Sequence, residues 1–177
     1  MGEDKALLPF ANKSTLTAYQ YDRLKLYFKN VYISSKVNKF DFLENENDLI
    51  LDVGEVFSPI VALDTILQKF ENQKIFVITV DTPLVSIETI EEIIQNSNDY
   101  EITVAETQRV HNLCGVFSSS IRKTIGEMLE EDIHKVGYLL KKSNTKILQL
   151  PNDDEFANLN DKDEYKKALS IISNTNN

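Results

Sequence analysis

Runs of strand length alternate with helix-period stretches along nearly the whole chain, and that alternation limits the folds open to it. Apolar, β-prone runs fall at 31–35, 48–52, 74–81, 101–106, 113–118 and 145–150. Between them lie helical patterns with recognisable starts. Ser14 or Thr15 opens the first, whose face carries Leu16, Tyr19, Leu24, Tyr27 and Phe28. Ser58 caps the second with Pro59 at its first position, the slot where proline is favoured. Ser86 caps the third, a fourth starts near Ser119, and a short one follows around 134–142. Asp161 and Glu164 form a capping box for the last. Strands alternating with helices need crossover connections, so the expected fold is α/β: three layers, a mainly parallel sheet with helices on both faces. The 75–80 run is apolar except for Thr79, which reads as a central strand buried on both faces.

The chain has 177 residues, the size of one domain, and nothing before the last few residues resembles a linker. Residues 1–172 therefore read as one domain and the polar 173–177 as a frayed tail. A single cysteine, Cys114, excludes a disulfide framework and a multi-cysteine zinc site and suits a reducing cytosol. No apolar stretch has the ~20 residues of a membrane span. Lys and Arg total 19 against 28 Asp and Glu, a net charge of −9. That surface argues against broad nucleic-acid binding, which rests on cationic side chains, yet leaves room for one small phosphorylated ligand.

Ligands of open α/β sheets sit beyond the carboxyl ends of the strands. In this chain those ends carry Ser34, Asp52 and Asp81. Two carboxylates converging there would suit a hard cation such as magnesium. Asp81-Thr82-Pro83 is good turn chemistry, and position alone favours that turn reading over a metal site.

Four short motifs in a fixed order go further. Met1-Gly2-Glu3-Asp4-Lys5-Ala6-Leu7-Leu8 stands before the first helix, Ser58-Pro59-Ile60 opens the second, and Val80-Asp81-Thr82-Pro83 ends a strand. Phe156-Ala157-Asn158-Leu159-Asn160 precedes an acidic helix start. In these motifs the chain resembles the molybdenum cofactor guanylyltransferases, nucleotidyltransferases with a Rossmann-like, glycosyltransferase-A-like fold. The resemblance implies Mg-dependent transfer of GMP from GTP to the phosphate of molybdopterin. It implies that Lys5 reaches the nucleotide phosphates, that Asp81 holds Mg2+ against them, and that Asp52 and Ser34 lie by the nucleotide. Asn158 and Asn160 fall at the reacting end, and Lys135 falls on the acceptor side. Other cofactor-biosynthesis proteins or molybdoenzymes are implied partners. A sister enzyme using CTP, or GTP on cobinamide phosphate, and a non-catalytic pterin- or partner-binding module are the alternatives.

The sequence departs from that family pattern in places. Its five glycines, Gly2, Gly54, Gly115, Gly126 and Gly137, do not cluster, so the family's first strand and Gly-Gly phosphate turn are not in this chain. The expectation is a chain that folds but binds GTP poorly, with Lys5 on a free, flexible end. Ser34 replaces a family Asn, His111-Asn112 replaces His-Pro, and Asp161-Lys162 replaces Thr-Pro. The acidic cluster 153–155 reads as a solvated loop.

Overall fold

Among the described residues, six strands and six α-helices form where the sequence patterns call for them. The structure, a computed structural model, describes residues 4–53, 56 and 58–175. Met1, Gly2 and Glu3 of the first motif, and Asn176 and Asn177 of the tail, lie outside those residues. The strands are β1 (Ile33–Ser35), β2 (Leu49–Leu51), β3 (Lys74–Val77), β4 (Ile102–Glu106), β5 (Val110–Ser118) and β6 (Thr145–Gln149). The helices are α1 (Leu16–Lys25), α2 (Pro59–Lys69), α3 (Ile87–Gln95), α4 (Arg122–Glu130), α5 (Val136–Lys142) and α6 (Lys162–Thr175).

The caps behave as their chemistry requires. Hydroxyls of Thr15, Ser58 and Ser86 accept from Ala18, Ile60 and Thr89 N–H, satisfying donors that the first turn leaves unpaired. Asp161 accepts from the N–H groups of Asp163 and Glu164, while Glu164 reaches back to Asp161 N–H at 3.2 Å. The α6 helix continues through 173–175, where the sequence suggested fraying.

Pairing is mixed. β1 and β2 form a parallel pair, and the other strands form a sheet in the order β3-β5-β4-β6. β4 and β6 are parallel, whereas β5 runs antiparallel to both β3 and β4. The reversal has a local cause. Only Thr107, Gln108 and Arg109 separate β4 from β5, too few for a crossover, so the two strands close as a hairpin. Gly115 sits in this tight pairing. A Cβ there would stand 2.2 Å from Thr103 O, so no other residue fits.

The helices cover both faces. Ile60, Leu63 and Leu67 of α2, Ile125 and Met128 of α4, and Leu139 of α5 pack with Ile102, Val104 and Phe117 on one side. Ile90 and Ile93 of α3 pack with Ala105, Cys114 and Val116 on the other. The α/β layering therefore holds, but one placement does not. β3, expected in the middle, lies at the edge of the four-stranded sheet, and residues 75–80 are half-buried rather than buried. β4 is buried on both faces, with Ile102, Thr103, Val104 and Ala105 each 0% exposed, and so is the 114–117 part of β5.

Candidate active site

The chain segment that carries Lys5 is anchored, contrary to the expectation of a free end. Asp4 accepts from Ala6 N–H at 3.1 Å and opens the 3-10 turn Lys5–Leu7. Asp4 is also paired with Lys39, and hydrogen bonds from Lys39 and Ala6 hold its carboxyl below the usual range. Thr17 donates to Ala6 O at 2.8 Å, and the Tyr165 hydroxyl donates to Pro9 O. Phe10 is fully buried and meets Tyr19 and Tyr165 edge-on, with centroids 4.9 and 5.8 Å apart. Together α1 and α6 grip residues 6–10, so Lys5 projects from a fixed base.

Three expected residues meet there. Lys5 Nζ donates to Asn160 Oδ1 at 3.0 Å and stands 4.0 Å from Asp81 Oδ2. Asp81 follows β3, and its carbonyl accepts from Leu159 N–H at 2.9 Å, which docks the segment 157–160 against the strand end. Asn158 is half-buried in that segment, and its carbonyl accepts from Asn160 N–H at 3.1 Å. The Lys5 and Asp81 side chains are 31% and 24% exposed, so both remain open to a ligand.

Ser34 and Asp52 form a second pair at the ends of β1 and β2, with Ser34 Oγ donating to Asp52 Oδ1 at 2.8 Å. These two groups are committed to each other, whereas sequence reading treated them as separate ligand contacts. Lys135 belongs to neither pair. It precedes α5 and lines a cavity of about 660 Å³ with Pro59, Asn112, His134 and Tyr138. His134 bridges Ser58 Oγ and Asp132, both at 3.0 Å, at the mouth of α2.

Two members of the cluster 153–155 are a correction, Asp153 and Glu155, while Asp154 is exposed as expected. Glu155 is half-buried and accepts from Ser86 N–H at 3.0 Å and from the Thr89 hydroxyl at 2.7 Å. Asp153 accepts from Thr107, which also meets His111 Nε2 at 2.7 Å. An acidic triplet beside a proline gives no local signal of such partners, because they lie tens of residues away.

Among the described residues no group of three or more His, Cys, Asp or Glu side chains is arranged to hold a metal ion. Asp81 alone still fits one, because magnesium commonly takes one or two carboxylates and completes its shell with substrate phosphates and water.

An ammonium, a carboxylate and an amide beyond the carboxyl end of an α/β strand suit a phosphorylated ligand, as a phosphate-handling transferase requires. Known proteins agree with that class. The sequence profile of the MobA-like NTP transferase domain matches residues 1–146. A molybdenum cofactor guanylyltransferase from Campylobacter jejuni subsp. doylei is 39% identical over 176 residues, 97% of this chain and 90% of that protein. The solved molybdopterin-guanine dinucleotide biosynthesis protein A of Archaeoglobus fulgidus superposes with a TM-score of 0.82. That match has 18% identity and covers 98% of this chain and 92% of the other. A 2-C-methyl-D-erythritol 4-phosphate cytidylyltransferase from Thermus thermophilus gives a TM-score of 0.72 at 10% identity, over 96% and 94% of the two chains. The chain belongs to the molybdenum cofactor guanylyltransferases of the MobA-like NTP transferase family. No helix among the described residues is long and apolar enough to cross a membrane.

Proposed function

We propose that this chain transfers GMP from GTP to the phosphate of molybdopterin in the cytoplasm, releasing pyrophosphate. The convergence of Lys5, Asp81 and Asn160 carries the reading. An oxygen of the acceptor phosphate attacks the α-phosphorus in line as the bond to the bridging α–β oxygen breaks. The electron pair leaves with pyrophosphate. An ionised phosphate is already a nucleophile, so no general base is needed, and positioning with charge stabilisation does the work.

Lys5 offsets charge on the departing phosphates. Asp81 would hold Mg2+, which when bound neutralises part of the triphosphate charge. Asn160 holds the Lys5 ammonium in place, and Asn158 faces the reacting end. Ser34 and Asp52 sit on the nucleotide side. Lys135, at the rim of its cavity, would receive the acceptor. Cofactor-biosynthesis proteins or molybdoenzymes would take the product.

Cytidylyl transfer is the second reading, because a cytidylyltransferase shares this fold and the fold does not select the base. One assay separates the two. Purified protein is incubated with molybdopterin, Mg2+ and either GTP or CTP, and pyrophosphate release is followed together with the dinucleotide product. GTP-dependent product lost in Lys5→Ala supports the reading. Product from CTP alone moves the chain to the sister activity, and no product from either leaves a binding module.

A further inference from the structure

The 3-10 turn Asp153–Phe156 is pinned at three points before the chain enters the site. Asp153 accepts from the Thr107 hydroxyl and, at 3.4 Å, from Gln108 N–H at the tip of the β4–β5 hairpin. Phe156 is 2% exposed and stacks on the His111 ring with centroids 4.2 Å apart. Between them Glu155 accepts from Ser86 N–H and the Thr89 hydroxyl through Oε2 and from Asn152 Nδ2 at 3.0 Å through Oε1.

These bonds do not complete the α3 cap. The Ser86 hydroxyl already accepts from Thr89 N–H at 3.1 Å, the contact that caps such a helix. What Glu155 adds is a tie between two segments far apart in sequence. One is the loop that leaves Asp81 and enters α3. The other is the strand-like stretch that carries Asn158 and Asn160 to Lys5. Leu159 N–H to Asp81 O is the second tie, so the two segments are joined on either side of Asn158. The loop after Asp81 is gripped from its other side as well. Gln20 Nε2 donates to Thr82 O at 3.2 Å, and Arg23 Nη1 donates to Val85 O at 2.7 Å. Burial acting alone would raise the Glu155 carboxyl. The hydrogen bonds from Ser86, Thr89 and Asn152 outweigh it and keep the group ionised.

We infer that Glu155 is a positioning residue that sets the Asn158–Asn160 segment in register with Asp81 and so places Lys5. The inference rests on the transferase reading of the Lys5, Asp81 and Asn160 site. Glu155 touches no reacting atom; it acts through the two segments it joins. Loss of the tie lets the amides drift relative to Asp81, and a displacement of about 1 Å in a positioned group lowers turnover by as much as ~10²-fold.

The experiment is a kinetic cycle on the full chain with GTP, Mg2+ and molybdopterin. Glu155→Ala should lower kcat by at least ~10-fold while KM for GTP stays within ~3-fold, because phosphate binding groups are present but misplaced. Glu155→Gln, which keeps a carbonyl oxygen for Ser86 N–H, should recover most of the rate. In the Glu155→Ala/Asn160→Ala double variant the losses should not multiply, since both changes break one arrangement. Thr89→Val removes one donor to Glu155 without touching either backbone, and serves if Glu155→Ala does not fold; a ~3-fold or larger fall in kcat is expected. Normal kcat with a lowered melting temperature, or losses that multiply, would overturn the inference and leave Glu155 as a structural brace. Should Asp81→Asn and Asn160→Ala be fully active, the transferase reading of the site falls and takes the inference with it. With those two impaired and Glu155→Ala active, the inference alone falls.

Discussion

β4 and β3 have nearly the same apolar character and opposite surroundings. β4 lies between β5 and β6 with Ile102, Val104 and Ala105 at 0% exposure. β3 lies at the edge of the same sheet, and its continuation to Asp81 is half-buried throughout. The interior strand is held by ladders on both sides and by helices on both faces, so it contributes packing. The edge strand ends beside the Lys5 segment and 157–160, where polar side chains converge and stay partly solvated. Burial is concentrated in the hairpin side of the sheet and the proposed chemistry at the open side, as expected when a site must exchange ligands.

Substitutions can break that division, and the hardest blow falls on the hairpin. In Gly115→Val the new side chain meets Thr103 O and Val104 inside the β4–β5 pair. We expect a loss of about 3 kcal/mol or more, or failure to fold, measured by denaturant unfolding. Ile102→Ala should cost ~2–5 kcal/mol through the cavity it leaves, whereas Ile75→Ala, in the half-buried edge strand, should cost ~1 kcal/mol. Equal losses in this pair would dissolve the contrast between the two strands.

The open side should answer in rate and not in stability. Asp81→Asn keeps size and removes the charge, so kcat should fall by at least ~10²-fold while the melting temperature hardly moves. Asp52→Asn, whose partner Ser34 is itself neutral, should cost less, about 10-fold or below in steady-state turnover. An unchanged rate in Asp81→Asn would place the chemistry elsewhere.

The smallest expected effect sits where the two regions meet. Burial, followed by Arg109, lowers the His111 imidazole from its ordinary value against the pull of Asp153. The unfolded chain then binds the proton more readily than the folded one. Stability from this group is complete above about pH 6.5 and is lost as pH falls through the folded value. Denaturant midpoints between roughly pH 7.5 and 5.5 should decline in the native chain and flatten in His111→Gln.

Local chemistry made much of this legible. The helix starts at Leu16, Pro59 and Ile87 follow from hydroxyl caps that need only near neighbours. Each strand appears because apolar, β-branched residues recur at strand length. The motifs around Lys5, Asp81 and Asn160 point to phosphate chemistry through their resemblance to a known family, because position alone offers Asp81 a turn role as well. The three-residue link between β4 and β5 was not read from the sequence, where the runs 101–106 and 113–118 are separated by six residues; in the structure it forbids the crossover that uniform alternation suggests. Strand order was not legible either. Whether an apolar run ends in the middle or at the edge depends on which backbone finds it, and residues 74–77 carry no mark of that choice. Only the folded chain joins Glu155 to Ser86 or Lys5 to Asn160, across 69 and 155 residues. Sequence determined the elements and the reactive groups, because both depend on interactions within a few residues. Tertiary structure decided the partners, because hydrogen bonds and ion pairs depend on distance in space, which position along the chain does not encode.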